Sequence, residues 1–175
     1  MTATKPALPV LSDDCDSCAA LCCVAYPFDD PDYFATTKDT DVPCENLDGC
    51  FRCEIHARLT QKGFSGCVSY SCAGAGQRVT QLLFDGQNWR DQPELRREMT
   101  YALRVLRPIH EALVLLQEAQ GLPVPQKLLD HGMALMDDLC PAAPCDISDF
   151  EDETVQSALA QVPVYLRSLG SYLNL

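Results

Sequence analysis

Apolar and polar residues alternate along this chain in two textures, and the change comes near residue 91. From Gln92 onward apolar residues recur at Leu95, Met99, Ala102, Leu103, Leu106, Ile109, Leu113 and Leu116, the spacing of one helix face. Pro93 suits a first helical turn, Glu94 suits its positive end, and Gly121 with Pro123 marks the stop. Pro108 lies inside the run and predicts a kink, so two abutting helices are expected there. A second helix is predicted over about Pro125 to Leu139, carried by Leu128, Leu129, Met133, Leu135 and Met136. A third opens at a Ser148-x-x-Glu151 capping box, runs through Val155, Leu159 and Val162 to Tyr165 and Leu169, and bends at Pro163. Residues 91–175 therefore read as a small antiparallel helical bundle.

Residues 12–90 carry no such long period. Pro27, Pro31 and Pro43 punctuate them, with Gly49, Gly63, Gly66, Gly74, Gly76 and Gly86. Short helical turns are predicted around Cys18–Val24 and Ile55–Gln61, and short strands near Gly66–Ser71 and Val79–Phe84. Residues 1–11 read as a flexible tail. The expected architecture is mainly α: a loop-rich, metal-stabilised cysteine region packed on the bundle, with Trp89 and Arg90 joining the two halves.

What replaces a core in residues 12–90 is suggested by the cysteines. Nine of the eleven fall there: Cys15, Cys18, Cys22, Cys23, Cys44, Cys50, Cys53, Cys67 and Cys72. So tight a cluster of thiols implies metal ligation or a disulfide framework. The segment Met1 to Leu11 lacks the apolar stretch of a secretory signal, and no segment is long and apolar enough to span a membrane. The expected compartment is thus cytoplasmic, where thiols stay reduced, and an odd count leaves one cysteine unpaired. Metal ligation is the better reading. The formal charge of −12 argues against nucleic-acid or anionic-membrane partners, since such a surface repels phosphate.

Thiolates suit zinc, Cu(I) and iron–sulfur clusters, not magnesium or calcium. Cys15-x2-Cys18, Cys50-x2-Cys53 and Cys67-x4-Cys72 are ligand-like pairs, in which one cysteine orders the turn presenting the next. Four sulfurs about 2.3 Å from one zinc lie roughly 3.8 Å apart. Adjacent Cys22 and Cys23 on a helix point about 100° apart and serve one mononuclear site poorly. Two sites, or one polynuclear cluster, accommodate them better. Cys18 is followed by Ala19, not His, so the first pair is no haem attachment site. Gly74-Ala75-Gly76 lacks the third glycine of a dinucleotide fingerprint and reads as a tight turn. His56, three residues after Cys53, is a candidate ligand of lower rank; His110 and His131 read as structural. Cys140 and Cys145 read as a loop clasp without metal, and the acidic run Asp149 to Glu153 as solvated anions at a helix start.

The pattern Cys15-x2-Cys18-x3-Cys22-Cys23, with Cys44-x2-Leu47, Cys53-x-Ile55-His56, Gly66-Cys67 and Tyr70-x-Cys72, resembles the CxxCxxxCC family of zinc- or iron-chelating proteins. Leu21-Cys22-Cys23-Val24-Ala25, Phe51-Arg52-Cys53, Gly63-Phe64-x-Gly66-Cys67, Gly74-Ala75-Gly76-Gln77 and Trp89-Arg90 are also similar to the cysteine-rich N-terminal region of some bacterial pentapeptide-repeat proteins. The resemblance implies Cys15, Cys18, Cys22, Cys23, Cys44, Cys53, Cys67 and Cys72 as metal ligands, and leaves out Cys50, Cys140 and Cys145. This chain holds no pentapeptide repeats. One similar motif occurs in a flagellin lysine methylase that is an iron–sulfur protein, which tilts the expected cofactor towards an iron–sulfur cluster, with zinc the alternative.

Residues 12–90 show no acid–base pair at catalytic spacing, no nucleophile elbow and no phosphate loop. The expected function is a metal-binding module, iron–sulfur or zinc, that presents a surface to a protein partner or carries electrons. Metal storage and a cluster-dependent enzyme are the competing readings.

Overall fold

The computed structural model describes residues 8–142 and 145–172. Among these the protein is mainly helical, and its only β pairing is two isolated antiparallel bridges, Phe28 with Lys38 and Leu47 with Cys53. The chain divides into two compact units, residues 12–107 and residues 1–11 with 108–175. The expected cysteine-rich stretch 12–90 lies inside the first unit, which runs on to Arg107. Residues 1–7 of the expected tail lie outside the described residues.

In the unit of residues 12–107, a 3-10 turn at Cys15–Ser17 is capped by the Asp14 carboxylate, which accepts from the Asp16 and Ser17 amides. Ala20 then takes a left-handed conformation (φ 51°), which stops the longer helix expected from Cys18 and leaves α1 as Cys22–Ala25. Leu21, Val24 and Ala25 around α1 are fully buried. Ile55–Gln61 likewise reduces to a 3-10 turn, His56–Arg58.

Both expected strands are helical. Gly66–Ser71 lies in and after α2 (Ser65–Ser69), where the Ser69 hydroxyl donates to the Ser65 and Gly66 carbonyls. α3 (Ala75–Arg78) continues into a π-helical turn, Val79–Leu83. Ala75, Gly76, Val79 and Thr80 are all buried and make one helical face. That face starts before Val79, so the stretch from Val79 to Phe84 taken alone is only an apolar run.

α4 (Arg96–Ala119) contributes its residues up to Arg107 to this unit. The kink expected at Pro108 does not divide it into two helices. Leu103, Leu106, Ile109 and Leu113 are fully buried on both sides of an exposed Pro108, so the apolar face holds the helix across the lost amide. Trp89 and Arg90 act within the first unit rather than between halves: Trp89 Nε1 donates to the Ala19 carbonyl at 2.7 Å, and Arg90 donates to the Asp48 carbonyl at 2.6 Å.

In the unit of residues 108–175, α5 (Gln126–Asp138) packs on α6 (Glu153–Leu169). A Cβ at Gly132 would lie 2.5 Å from Tyr165 Oη and 2.6 Å from Gln120 Nε2, so only glycine permits that approach. The expected capping box at Ser148 and Glu151 is displaced by two residues. Asp146 and Asp149 form it around the 3-10 turn Ile147–Phe150, and Asp152 caps α6 separately. Four carboxylates in seven residues make this shift, because two of them outcompete Ser148 as acceptors. Pro163 sits inside α6, which continues through it. Residues 143 and 144 of the expected Cys140–Cys145 clasp lie outside the described residues; Cys140 is buried. No helix among the described residues is long and apolar enough to cross a membrane.

Asp41 ties the α4 segment to the rest of the first unit. It accepts from Thr100 Oγ1 at 2.6 Å and from Arg104 at 2.8 Å. Burial alone raises its pKa, but those two hydrogen bonds with the charges of Arg104 and Arg97 outweigh it and hold the carboxyl below its ordinary value. A depressed carboxyl contributes stability above its unfolded pKa of about 3.9, and that stability is lost as pH falls through the folded value. Asp41 is at φ 62°, which asparagine tolerates. Asp41→Asn is therefore expected to cost about 1–2 kcal/mol at neutral pH. The deficit should shrink towards zero below about pH 4, which denaturant unfolding at several pH values measures.

Candidate metal centre

Chemistry in the first unit gathers at the head of α1. Cys22 and Cys23 are its first two residues, and their sulfurs are 4.0 Å apart. From that point the remaining resemblance-implied thiols fall into two neighbourhoods.

The first is built by the turn before α1 and the loop before α3. Cys22 has Cys18 and Cys72 as charged neighbours, and Cys18 has Cys15. A Cβ at Gly76 would stand 2.7 Å from Cys18 Sγ and 3.5 Å from Cys72 Sγ, so this glycine is the floor on which the two sulfurs rest. Thr80, one helical turn further, accepts from the Ala19 amide at 3.2 Å and donates to the Gly76 carbonyl at 3.1 Å, fixing the Cys18 turn to α3. Burial raises the Cys18 and Cys72 thiols, and the nearby backbone amides of Leu21 and Ala20 at Cys18 and of Gly76 and Gly74 at Cys72 act against that rise. Amides aimed at sulfur stabilise the thiolate, as they do around metal-bound cysteine. Asp13 braces the Cys72 loop: one of its oxygens accepts from the Cys72 amide at 3.1 Å, Ser71 Oγ at 3.2 Å and the Cys72 thiol at 3.1 Å.

The second neighbourhood is Cys23 with Cys44, Cys53 and Cys67. The Cys44 amide donates to the Cys23 carbonyl at 2.9 Å, and Cys53 pairs with Leu47 in an antiparallel bridge. Cys44, Cys53 and Cys67 all pack on a cluster of Phe28, Ile55, Leu59 and Phe64. Lys38 supplies the cation. Its ammonium donates to the Val24 carbonyl at 3.2 Å and to that of Tyr26, and lies 4.9 Å from the Phe28 ring centre. Burial lowers the Lys38 pKa, and the charges of Cys44 and Cys23 beside it pull it back up. Of the coupled pair, Cys23 is the acid: the hydrogen bond from Cys22 and the nearby Lys38 lower it, while the same bond and burial raise Cys22. Cys15 also feels Cys23, so the two neighbourhoods adjoin there.

All eight resemblance-implied cysteines thus lie in one unit, residues 12–107. Cys50 is exposed and stands outside both groups, with its amide bonded to Asp48 at 2.8 Å. His56 is exposed on its 3-10 turn and lines a shallow cleft with Leu59, Cys67 and Val68. Among the described residues, no three Cys, His, Asp or Glu side chains are already arranged to hold a metal ion. The donor set still fits a soft metal: each group offers four thiols, with backbone amides on several sulfurs and a glycine cleared of any side chain beneath two. Asp13, Lys38, Gly76 and Thr80 were not among the sequence candidates. Thr80 and Gly76 share the i, i+4 face of α3, but their link to Cys18 spans some sixty residues of chain and has no local signal.

No family model and no solved structure matches this chain. It is 42% identical over 114 residues to a protein printed as Uncharacterized protein YybG of Bacillus subtilis (strain 168). The aligned part is 65% of this chain and 41% of that protein, so the chain spans about two fifths of the relative's length.

Burial first, then the charges of Cys23, Cys44 and Cys53, push the Cys67 thiol up to about 11. Burial also pushes Cys72 up to about 11, with the Asp13 carboxylate adding to it against the Gly76 and Gly74 amides. A thiol raised above its unfolded value of about 8.5 contributes stability that is complete below that pH and lost as pH rises through the folded value. The reduced, metal-free protein should therefore lose denaturant resistance between about pH 9 and 11. Ultraviolet thiolate absorption should show its last groups ionising near the upper end of that window. Unchanged stability across it would count against both thiols being enclosed.

Proposed function

We propose that residues 12–107 form a metal-ordered module with two all-thiolate centres, a first tetrad of Cys15, Cys18, Cys22 and Cys72 and a second of Cys23, Cys44, Cys53 and Cys67. What supports this reading is that Cys18 and Cys72 both stand over Gly76, and that Cys44, Cys53 and Cys67 all pack on the Phe28 cluster. The resemblance to the CxxCxxxCC family supports the same eight residues. A metal bound to such thiolates supplies up to about 10–16 kcal/mol of folding energy, in addition to the small apolar cluster of Phe28, Ile55, Leu59 and Phe64.

The division also bears on which metal is held. An adjacent cysteine pair fits one mononuclear zinc poorly, and that objection disappears once the two sulfurs serve different centres. Zinc in both tetrads is therefore the leading occupant, and a cuboidal iron–sulfur cluster, also held by four cysteines, is the other occupant of the same cages. The module's role is to present a metal-ordered surface to a protein partner. Electron transfer becomes the role if the occupant is iron–sulfur.

Metal analysis of protein purified anaerobically tests this directly. Two zinc per chain and a colourless preparation are expected, whereas a brown one with iron matching sulfide gives the iron–sulfur occupant. Cys22→Ser and Cys23→Ser should each remove one centre, and Cys50→Ser neither. Chelation should expose residues 12–107 to protease while the helices of 108–175 keep their circular dichroism. Equal resistance of the first unit with and without metal would rule the proposal out.

A further inference from the structure

The spacing of Cys22 and Cys23 suits a further chemistry in the metal-free chain. Their sulfurs are 4.0 Å apart and in contact, and both residues are half-buried rather than enclosed. Consecutive Cα atoms stand about 3.8 Å apart, below the roughly 4.4–6.8 Å that disulfides usually span. Closing the sulfurs from 4.0 Å to the about 2.05 Å of an S–S bond would therefore unwind the start of α1. The packing of α1 resists that. Leu21, Val24 and Ala25 are fully buried, Lys38 holds the Val24 and Tyr26 carbonyls, and Arg104 holds the Ala25 carbonyl at 3.1 Å. A bridging atom asks for much less movement. At about 2.3 Å from each sulfur with a tetrahedral angle, it leaves them roughly 3.8 Å apart. Among the described residues no three Cys, His, Asp or Glu side chains are arranged to hold an ion, so the bridge that fits the pair as it stands is one that two sulfurs complete.

We propose that in the reduced, metal-free chain Cys22 and Cys23 form a dithiol site for monosubstituted trivalent arsenicals, R–As(OH)2. Trivalent arsenic is soft, like the metals that thiolates prefer, and with its organic substituent retained it needs only two sulfurs. Each thiol forms an S–As bond as an As–O bond breaks, and the oxygen leaves as water with the thiol hydrogen. Two waters are released, and neither arsenic nor sulfur changes oxidation state. The first S–As bond makes the second intramolecular, so the pair binds at least about 100-fold more tightly than a single thiol. This site does not rest on the two-centre reading, since it needs only the two adjacent thiols and no metal.

The test uses the full chain, reduced and metal-free, with phenylarsine oxide as the probe at one equivalent per chain. Intact mass should show one phenylarsenic group that survives excess 2-mercaptoethanol and is removed by dithiothreitol. Cys22→Ser and Cys23→Ser should each weaken binding at least about 100-fold, while Cys50→Ser and Cys15→Ser leave it unchanged. Full affinity in either of the first two variants overturns the proposal, because the bridge then uses another thiol. A second measurement needs no substitution: fragmentation of the unaltered adduct should leave arsenic on residues 22 and 23 together, and arsenic on any other pair overturns the site. The last arm treats the unaltered folded chain with a low-molecular-weight disulfide. No disulfide should join Cys22 to Cys23, and one forming there would overturn the fixed spacing on which the site depends.

Discussion

The thiols of residues 12–107 gather around Cys22 and Cys23, adjacent at the head of α1 with sulfurs 4.0 Å apart, so their arrangement depends on what holds α1 in place. α1 is only four residues long and has no stability of its own, since so short a helix does not survive nucleation without packing. It is held instead by complete burial of Leu21, Val24 and Ala25 and by two cations, Lys38 and Arg104, on its terminal carbonyls. The turn before it is fixed by Trp89 and Thr80 on the two polar groups of Ala19. With the helix so placed, the two sulfurs lie 4.0 Å apart, and Cys22 is influenced by Cys18 and Cys72 while Cys23 is influenced by Lys38. A rotation of α1 by one residue would exchange the two sulfurs and break both groups.

The groups differ in what surrounds them. Cys72 has a carboxylate, Asp13, 3.1 Å from its sulfur, and Cys15 is exposed. The second group has an ammonium at its edge and an apolar wall behind three of its sulfurs. A thiolate gains from a neighbouring cation and loses from a neighbouring anion in a partly buried setting, so on charge alone ionised thiols are favoured more in the second group than in the first.

Legibility from sequence followed the length of the pattern. α4, α5 and α6 were readable because their apolar period is sustained for many turns, and a sustained face overrode the local signals of Pro108 and Pro163. Segments of about six residues were not readable. Gly66–Ser71 and Val79–Phe84 fit a strand as well as a helix, and only the burial of Gly76 beside Val79 and Thr80 decides the second. The eight thiols could be assembled from residue type and motif resemblance. Their division could not, because it depends on which way a four-residue helix is turned by contacts from Trp89, Thr80 and Arg104, tens of residues away.

Backbone strain marks the places where this unit departs from regular structure. Ala20, Asp41, Phe51, Ala73 and Asp85 all have positive φ, and all lie within residues 12–107. Left-handed alanine costs about 1–2 kcal/mol, and glycine at Ala20 or Ala73 would relieve it. Both alanines are buried, however, so their methyl groups fill space that glycine would leave empty. Their strained conformations also accomplish something regular helix cannot. At Ala20 the reversal brings the Ala20 and Leu21 amides near Cys18, and Ala73, followed by left-handed Gly74, turns the chain so that the Gly74 amide donates to Asp13 at 3.4 Å beside Cys72. Amides in a helix interior are consumed by carbonyls four residues back, whereas those of a first turn, such as Gly76 in α3, have no such partner. At Ala20 and Ala73 the strain persists because the packing around α1 and α3 over-determines the turn.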